Sequence, residues 1–400
     1  MDSLKKRALE YHEFPKPGKL SVESSKPCAS QDDLSLAYTP GVAEPVREIN
    51  RDPNNAYKYT NKGNLVAVIT DGTAVLGLGN MGALASKPVM EGKAVLFKRF
   101  AGIDVFDIEI TAPSIEAFIE TVVNIAPTFG GINLEDIAAP HCFRIEKELR
   151  ERLDIPVFHD DQHGTAVIVC AALLNALELQ GKAIGTAKIV FLGAGAAGCS
   201  CAKLLKLMGA KNITMVDKKG VLDTRRDDLH DNNRDLAVVP SVNKELADVM
   251  PQADVFIGVS AANALPPRLV KLMATNPIIF ALANPDPEIL PCVAHAVRSD
   301  LLMATGRSDF PNQVNNALCF PYLFRGALDA RAKQINDEMK IAAAHALAQL
   351  AREPVPEAIL RAYNLKELSF GRDYIIPKPF DERLCDRVAG AVAAAASKSN

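Results

Sequence analysis

Four acidic residues in the first half of the chain fall in two adjacent pairs, Glu135-Asp136 and Asp160-Asp161, each at the end of a predicted β-strand. The stretch between them, "HCFRIEKELRERL", reads as a crossover helix, so the two strands are parallel and both pairs emerge at one carboxyl edge, where open α/β sheets bind their ligands. Carboxylates gathered at one edge repel unless a cation joins them. A set of oxygen ligands favours Mg²⁺ or Mn²⁺. Neighbours in a regular strand face opposite sides, so Glu135 and Asp136 both ligate only if the strand has already broken. Otherwise the pairs are acidic strand ends facing water.

Two proton-transfer candidates lie upstream. Lys93, in "PVMEGKAVLFKRFAGID", falls in a predicted helix after the glycine-rich "GLGNMG". Desolvation and a nearby divalent cation both disfavour an ammonium, so beside such a metal Lys93 is suited to act as a base; a solvated helix lysine is the alternative. Tyr38 stands directly before a Thr-Pro-Gly turn in "SLAYTPGVAEP". It is either an amphipathic aromatic with its hydroxyl at the surface or a phenol donating a proton to a carbanion-like carbon.

In the second half, "GAGAAG" (Gly193, Ala194, Gly195, Ala196, Ala197 and Gly198) follows the predicted strand "AKIVFL" and opens the helical "CSCAKLLKLMG". Strand, G-x-G-x-x-G loop and helix together form a dinucleotide fingerprint: the glycines permit the tight turn and close packing, and the helix N-terminus offers N–H groups to a pyrophosphate. Asp217 closes the next strand about 20 residues on, where an acidic side chain meets the adenosine ribose. A hydrogen bond from Asp217 favours NAD, whereas Lys218, Lys219, Arg225 and Arg226 nearby suit the 2′-phosphate of NADP. Either cofactor fits this reading.

The elements that must position these groups alternate as short β-type runs and helices, the pattern of parallel sheets. The first series is 64–70, 104–110, 131–137 and 155–161, and the second is 187–193, 212–217, 254–260, 277–285 and 301–306. Helices are predicted from near Lys87-Pro88, after Ser114, from Gly164 to Gln180 between the two series, from Asp329 to Arg352, and at the alanine-rich end. The expected fold is α/β with two open, mainly parallel sheets. Residues 1–161 form a catalytic and metal-binding domain, 162–318 a Rossmann-type NAD(P)-binding domain, and 319–400 a helical segment packing back on the first.

Apolar residues make up 48% of the 400 and charged residues 23%, with a net charge of -3. That composition suits a globular enzyme and lacks the basic footprint of a nucleic-acid or anionic-membrane partner. The longest apolar stretch, "TAVIVCAALL" at 165–174, is too short to span a bilayer, and no apolar signal core follows the N-terminal basic residues. A cytoplasmic location is expected. The eight cysteines fit neither a disulfide framework nor a zinc site.

Taken in order, "YTPGVAEP", "VLGLGNMG", "PVMEGKAVLFKRFAGID", "NLEDI", "FHDDQHGT", "GAGAAG", "ALANPDPE" and "GRSDFPNQVNN" closely resemble the malic enzymes of bacterial type, over nearly the whole chain. The resemblance implies oxidative decarboxylation of L-malate to pyruvate and CO₂ with reduction of NAD or NADP, in a homodimer or higher homo-oligomer. It implies Tyr38 as general acid and Lys93 as general base, with Glu135, Asp136 and Asp161 holding the metal and Asp160 supporting them in catalysis. Asn284 and Asn316 are expected near substrate and nicotinamide. Two departures stand out: a carboxylate-gripping arginine found in many eukaryotic-type members has no counterpart in "GTAVLGLGN", and no phosphotransacetylase-like domain is expected after Asn400. A malolactic-type enzyme, an enzyme for another 2-hydroxy acid and a non-catalytic dinucleotide sensor are the competing readings.

Overall fold

The computed structural model describes residues 2–239 and 244–399. Among them, β1 (Leu65–Thr70), β2 (Asp104–Glu109), β3 (Gly131–Leu134) and β4 (Val157–His159) form a parallel sheet in the order β2-β1-β3-β4. β1, "LVAVIT", is buried throughout, so it reads as an unbroken apolar run and not as an alternation, as expected of a strand covered on both faces.

The second sheet comprises β5 (Lys188–Leu192), β6 (Asn212–Asp217), β7 (Gly220–Val221), β8 (Val255–Gly258), β9 (Ile278–Ala281) and β10 (Leu302–Thr305). Its order is β10-β9-β8-β5-β6-β7, with only the two-residue β7 antiparallel. The chain runs from β5 outward to β6 and then returns to β8 on the other side. That reversal opens a crevice at the carboxyl ends of β5 and β8, the place where such sheets take dinucleotides.

The helix Asp160–Leu179 joins the sheets and lies in the shared apolar core with the helices Phe320–Asp329 and Asp337–Arg352. It is long and apolar enough to cross a membrane by length and composition, more so than the stretch 165–174 alone suggests, but most of it is buried inside the protein. Phe320 and Phe324 pack edge-on against Phe97 of the helix Ala83–Ala101, which fixes the C-terminal helices to the first sheet's layer.

Several element boundaries differ from the sequence reading. β3 and β4 stop at Leu134 and His159, and Asp160 and Asp161 open the connecting helix instead of closing a strand. An anionic first turn suits the free N–H groups and positive end of the helix dipole. The Lys93 helix starts at Ala83, so Pro88 lies inside it; the missing N–H forgoes a bond only to Leu84, in an exposed turn. The helix expected from Asp329 is two helices, and the second begins where Asn336 caps the Met339 N–H.

One buried carboxylate locks the β4–helix junction in place. Glu146, in the helix His141–Arg152, accepts the His159 backbone N–H (3.3 Å) and bonds the His163 ring (2.9 Å). Burial alone opposes its ionisation, but His163, His159 and Arg150 outweigh it and pull its pKa down to about 2. A folded-state pKa below that of a free carboxyl means the anion is favoured by folding. The stabilisation is therefore full above the ordinary glutamate range and is lost as pH falls toward 2. Glu146→Gln is expected to cost ~1–3 kcal/mol at pH 7, the scale for hydrogen bonds made to a buried charged group, because burial holds the His163 ring below the ordinary histidine range. Urea unfolding at pH 7, 5 and 3 checks this: the gap to wild type should shrink on acidification, and a gap equal at all three would assign the effect to packing.

Candidate active site

The carboxyl edge of the first sheet meets that of the second. Glu135 keeps one more ladder bond, from its N–H to Ile69 O (2.9 Å), and the chain then turns at Asp136 with φ +53°. This left-handed turn breaks the alternation of a regular strand, so Glu135 and Asp136 present their carboxylates to one pocket. Asp161, on the first turn of the connecting helix, reaches the same place and accepts the Asp136 N–H (2.9 Å). One carboxylate oxygen from each of Glu135, Asp136 and Asp161 lies within 4.8 Å of the others. Asn133, buried on β3, donates to Glu135 Oε2 (2.9 Å) and orients it.

Lys93 projects into this pocket and is only 8% exposed. Its Nζ pairs with Asp160, lies 3.1 Å from Glu135 Oε1 and sits over the Phe320 ring. Asn316 donates to the same Asp160 oxygen (2.5 Å). Gly164, one turn further on, is required by the close approach: a Cβ there would fall 1.9 Å from Asp160 Oδ1.

Four carboxylates face one ammonium here, and the charge balance shows in Glu135, Asp136, Asp160 and Lys93. Burial raises Glu135, Asp160 and Asp136, with repulsion from Asp161 adding to each, and Asp136 reaches about 7. Burial pulls Lys93 down, but Asp160, Glu135 and Asp161 together override it and hold the ammonium well above the ordinary lysine range. Asp136 Oδ2 and Asp160 Oδ1 are buried without a hydrogen-bond partner. Excess negative charge, oxygen-only donors and an unpartnered oxygen on Asp136 fit a divalent cation at Glu135, Asp136 and Asp161, of the hard Mg²⁺ or Mn²⁺ type.

The dinucleotide loop stands across the crevice. Gly193 has φ +118°, and a Cβ on Gly198 would lie 2.0 Å from Gly193 O, so the third glycine of the fingerprint allows the helix Ala196–Leu207 to seat against the loop. Ala194, Gly195, Ala196 and Ala197 complete the turn, and Gly195 is solvent-exposed at the helix cap with open space where a Cβ would stand. Asn284, after β9, lies at the crevice between Gly306 and Gly77: a Cβ on Gly306 would meet its Nδ2 at 2.9 Å, and one on Gly77 its backbone oxygen at 2.7 Å.

Two expected site residues are placed differently. Asp217 ends β6, but both its oxygens are engaged by Arg226 (2.7 and 2.8 Å), which also binds Asp228, so it does not stand free for a ribose hydroxyl. Tyr38 caps the short helix Gln31–Ala37 and is 69% exposed. Among the described contacts none joins it to Lys93, Asn316 or the acids. Lys93, Asp160, Glu135, Asp136, Asp161 and Asn316 are brought together, whereas Tyr38 is not.

Three supporting residues escaped the sequence reading. Glu288, fully buried, accepts the N–H groups of Ser260 (2.8 Å) and Ala283 (3.1 Å), tying the loops after β8 and β9 that flank the crevice. Asn133 and Glu146 hold the metal-site acids through Glu135 and the β4–helix junction. A buried polar residue on a predicted core strand was the available signal for Asn133; the two glutamates carried none.

The chain matches two family models, "Malic enzyme, N-terminal domain" over residues 17–114 and 111–150 and "Malic enzyme, NAD binding domain" over 162–369. It is 59% identical to an NADP-dependent malic enzyme of Halomonas elongata, over all of this chain and 94% of that one. It is 57% identical to an NADP-dependent malic enzyme of Escherichia coli, again over its whole length but spanning 53% of that protein. A crystal structure of malic enzyme from Pyrococcus horikoshii superposes with a TM-score of 0.86 at 45% identity, covering 99% of this chain and 91% of that one. With two matching domain models and full-length identity on this scale, the chain belongs to the malic enzyme family.

Proposed function

We propose that the chain oxidatively decarboxylates L-malate to pyruvate and CO₂, with reduction of a nicotinamide dinucleotide and dependence on Mg²⁺ or Mn²⁺. The observation that carries the reading is the buried Lys93 amine beside the Glu135, Asp136 and Asp161 oxygens, at the crevice edge below the dinucleotide loop. When bound, the cation supplies Lewis acidity at the substrate oxygens and the nicotinamide accepts the hydride.

The chain's own groups do the proton work. Lys93 takes the proton of the C2 hydroxyl. In the arrangement described above it is held as an ammonium, so it becomes a base only when the charges of Glu135 and Asp161 are compensated; Asp160 then remains as its anionic partner. Asn316 keeps Asp160 aimed at the amine, and Asn284 stands where a substrate carboxylate or the carboxamide of the nicotinamide can be met. After CO₂ leaves, C3 must be protonated, and a phenol such as Tyr38 is suited to give that proton.

The finer cofactor preference follows from Arg226. With both Asp217 oxygens held by Arg226, the hydroxyl-binding carboxylate that favours NAD is engaged, and Arg226, Lys218 and Lys219 offer cations to a 2′-phosphate in exchange for the Asp228 carboxylate that two of them now share. The preferred cofactor is NADP.

Two tests follow. With malate and Mn²⁺, reduced cofactor and pyruvate should appear together and vanish with chelator; Lys93→Ala should lower kcat by ~10²–10⁴-fold, the range for a positioned acid or base, with little change in dinucleotide Kd. Lactate formed without reduced cofactor would replace this reading with a malolactic one. Arg226→Gln should lower kcat/KM for NADP by ~10–100-fold, as expected for lost charged contacts, and change that for NAD far less. Equal loss with both cofactors would remove Arg226 from the choice.

A further inference from the structure

We infer that Glu288 is a positioning residue that sets the spacing across the dinucleotide crevice, holding the loop that touches the fingerprint glycines and the loop that carries Asn284 on the two oxygens of one carboxylate. Its role falls within the malate oxidation proposed above, on which this reading of Glu288 rests. Glu288 is fully buried, and its partners are donors: Oε1 accepts the Ser260 N–H (2.8 Å) and hydroxyl (3.2 Å), and Oε2 accepts the Ala283 N–H (3.1 Å). Among the described residues no cation offsets its charge, and burial lifts its carboxyl above the ordinary glutamate range against those hydrogen bonds. A carboxylate buried without a counter-charge is costly, and an apolar side chain would fill the space at less cost. The residue type therefore answers the donors: only a carboxylate accepts at both of its ends.

Each tie lies one residue from a group that lines the crevice. Val259 precedes Ser260, and its oxygen would stand 2.6 Å from a Cβ on Gly193 and its Cγ2 3.2 Å from one on Gly198, so it seats directly on the fingerprint turn. Asn284 follows Ala283 and is confined between Gly77 and Gly306. The loop after β8 has further anchors: Val259 N–H donates to Leu192 O (3.0 Å), Asn263 N–H to Pro287 O (3.0 Å) and Leu265 N–H to Glu288 O (3.0 Å). The loop after β9 is held by Leu282 N–H to Gly258 O (3.0 Å), and beyond that bond Glu288 directs the chain toward Asn284. Gly258 makes room for this arrangement, since a Cβ there would meet Glu288 Cδ at 2.4 Å.

Glutamine has the shape of glutamate but a single acceptor oxygen. In Glu288→Gln that oxygen is best placed where two donors converge, at Ser260, which turns the amide N–H₂ against the Ala283 N–H. Donor then faces donor, the Ala283 tie breaks, and the Asn284 loop is released while Val259 stays on the glycines. The dinucleotide is retained but the reacting groups are misaligned, and a misplacement of about 1 Å costs ~10²-fold in rate.

The test measures malate turnover per bound dinucleotide, with binding sites counted by titration with NADPH. Glu288→Gln should bind the dinucleotide at full stoichiometry with Kd little changed, while kcat per occupied site falls ~10–100-fold. Glu288→Asp keeps both acceptor oxygens on a shorter side chain and should lose less; it carries the test if Glu288→Gln does not fold. A purely structural role would remove sites and turnover in proportion and leave kcat per occupied site unchanged, and that result overturns the inference. Failure of both variants to fold overturns it too, by assigning Glu288 to stability. Adding Asn284→Ala checks the route: with Asn284 gone, Glu288→Gln should cost far less than it does in the wild-type background, and an equal cost would show that Glu288 does not act through Asn284. A wild type inactive on malate would instead remove the functional reading itself, a failure visible before any variant is made.

Discussion

Gathering four carboxylates, three of them buried, around a single ammonium is the constraint around which the rest of the structure is arranged. Charges of one sign cannot be held together away from water without compensation, and here the protein's own compensation stops at Lys93. The pocket is thus built for a missing positive charge. Its neighbours supply directional bonds in place of charge: Asn133 to Glu135, Asn316 to Asp160, and the Asp136 peptide N–H to Asp161.

Geometry at the strand ends makes the gathering possible. A regular strand through 137 would have thrown Glu135 and Asp136 to opposite faces, and a β4 extended through 161 would have split Asp160 from Asp161 in the same way. The left-handed Asp136 solves the first and the early helix start at Asp160 the second. On a helix, successive residues are about 100° apart, so Asp160 can face Lys93 while Asp161 reaches Asp136. Glu146 then holds this turn from behind through the His159 peptide, so the junction that carries two of the acids is itself fixed by a buried ion.

How much of this was legible depended on whether the signal was local. The β5 strand, G-x-G-x-x-G loop and following helix are consecutive, and each glycine's reason is steric, so the dinucleotide half was readable residue by residue. The acids are recognisable as pairs at one sheet edge, and joint ligation by Glu135 and Asp136 requires the strand break that the left-handed Asp136 provides. Where they were misplaced, as with Asp160 at a strand end, the β-favouring "IPVFH" run concealed a helix whose start is set by tertiary contacts from Glu146. Asp217 matched its expected position in sequence, but the Arg226 that occupies it comes from nine residues further on, over a turn that spacing does not reveal. Tyr38 is the extreme case: the motif around it resembles that of a proton donor, yet the ring stands exposed at the end of the short helix Gln31–Ala37.

Proton transfer at this site is coupled to charge compensation, and that coupling explains why a lysine is used. A residue acting as base in the presence of uncompensated acids would be locked in its acid form, as Lys93 is here. Engaging Glu135 and Asp161 removes two of the influences that raise the amine and leaves burial opposed by Asp160, which moves Lys93 toward the neutral form that can accept a proton. A histidine among the same acids would shift in the same direction but from a starting point near neutrality, so less compensation would be needed to free its base form. Lysine makes basicity conditional on the pocket being filled, so the base appears only when the groups needed for the following steps are assembled.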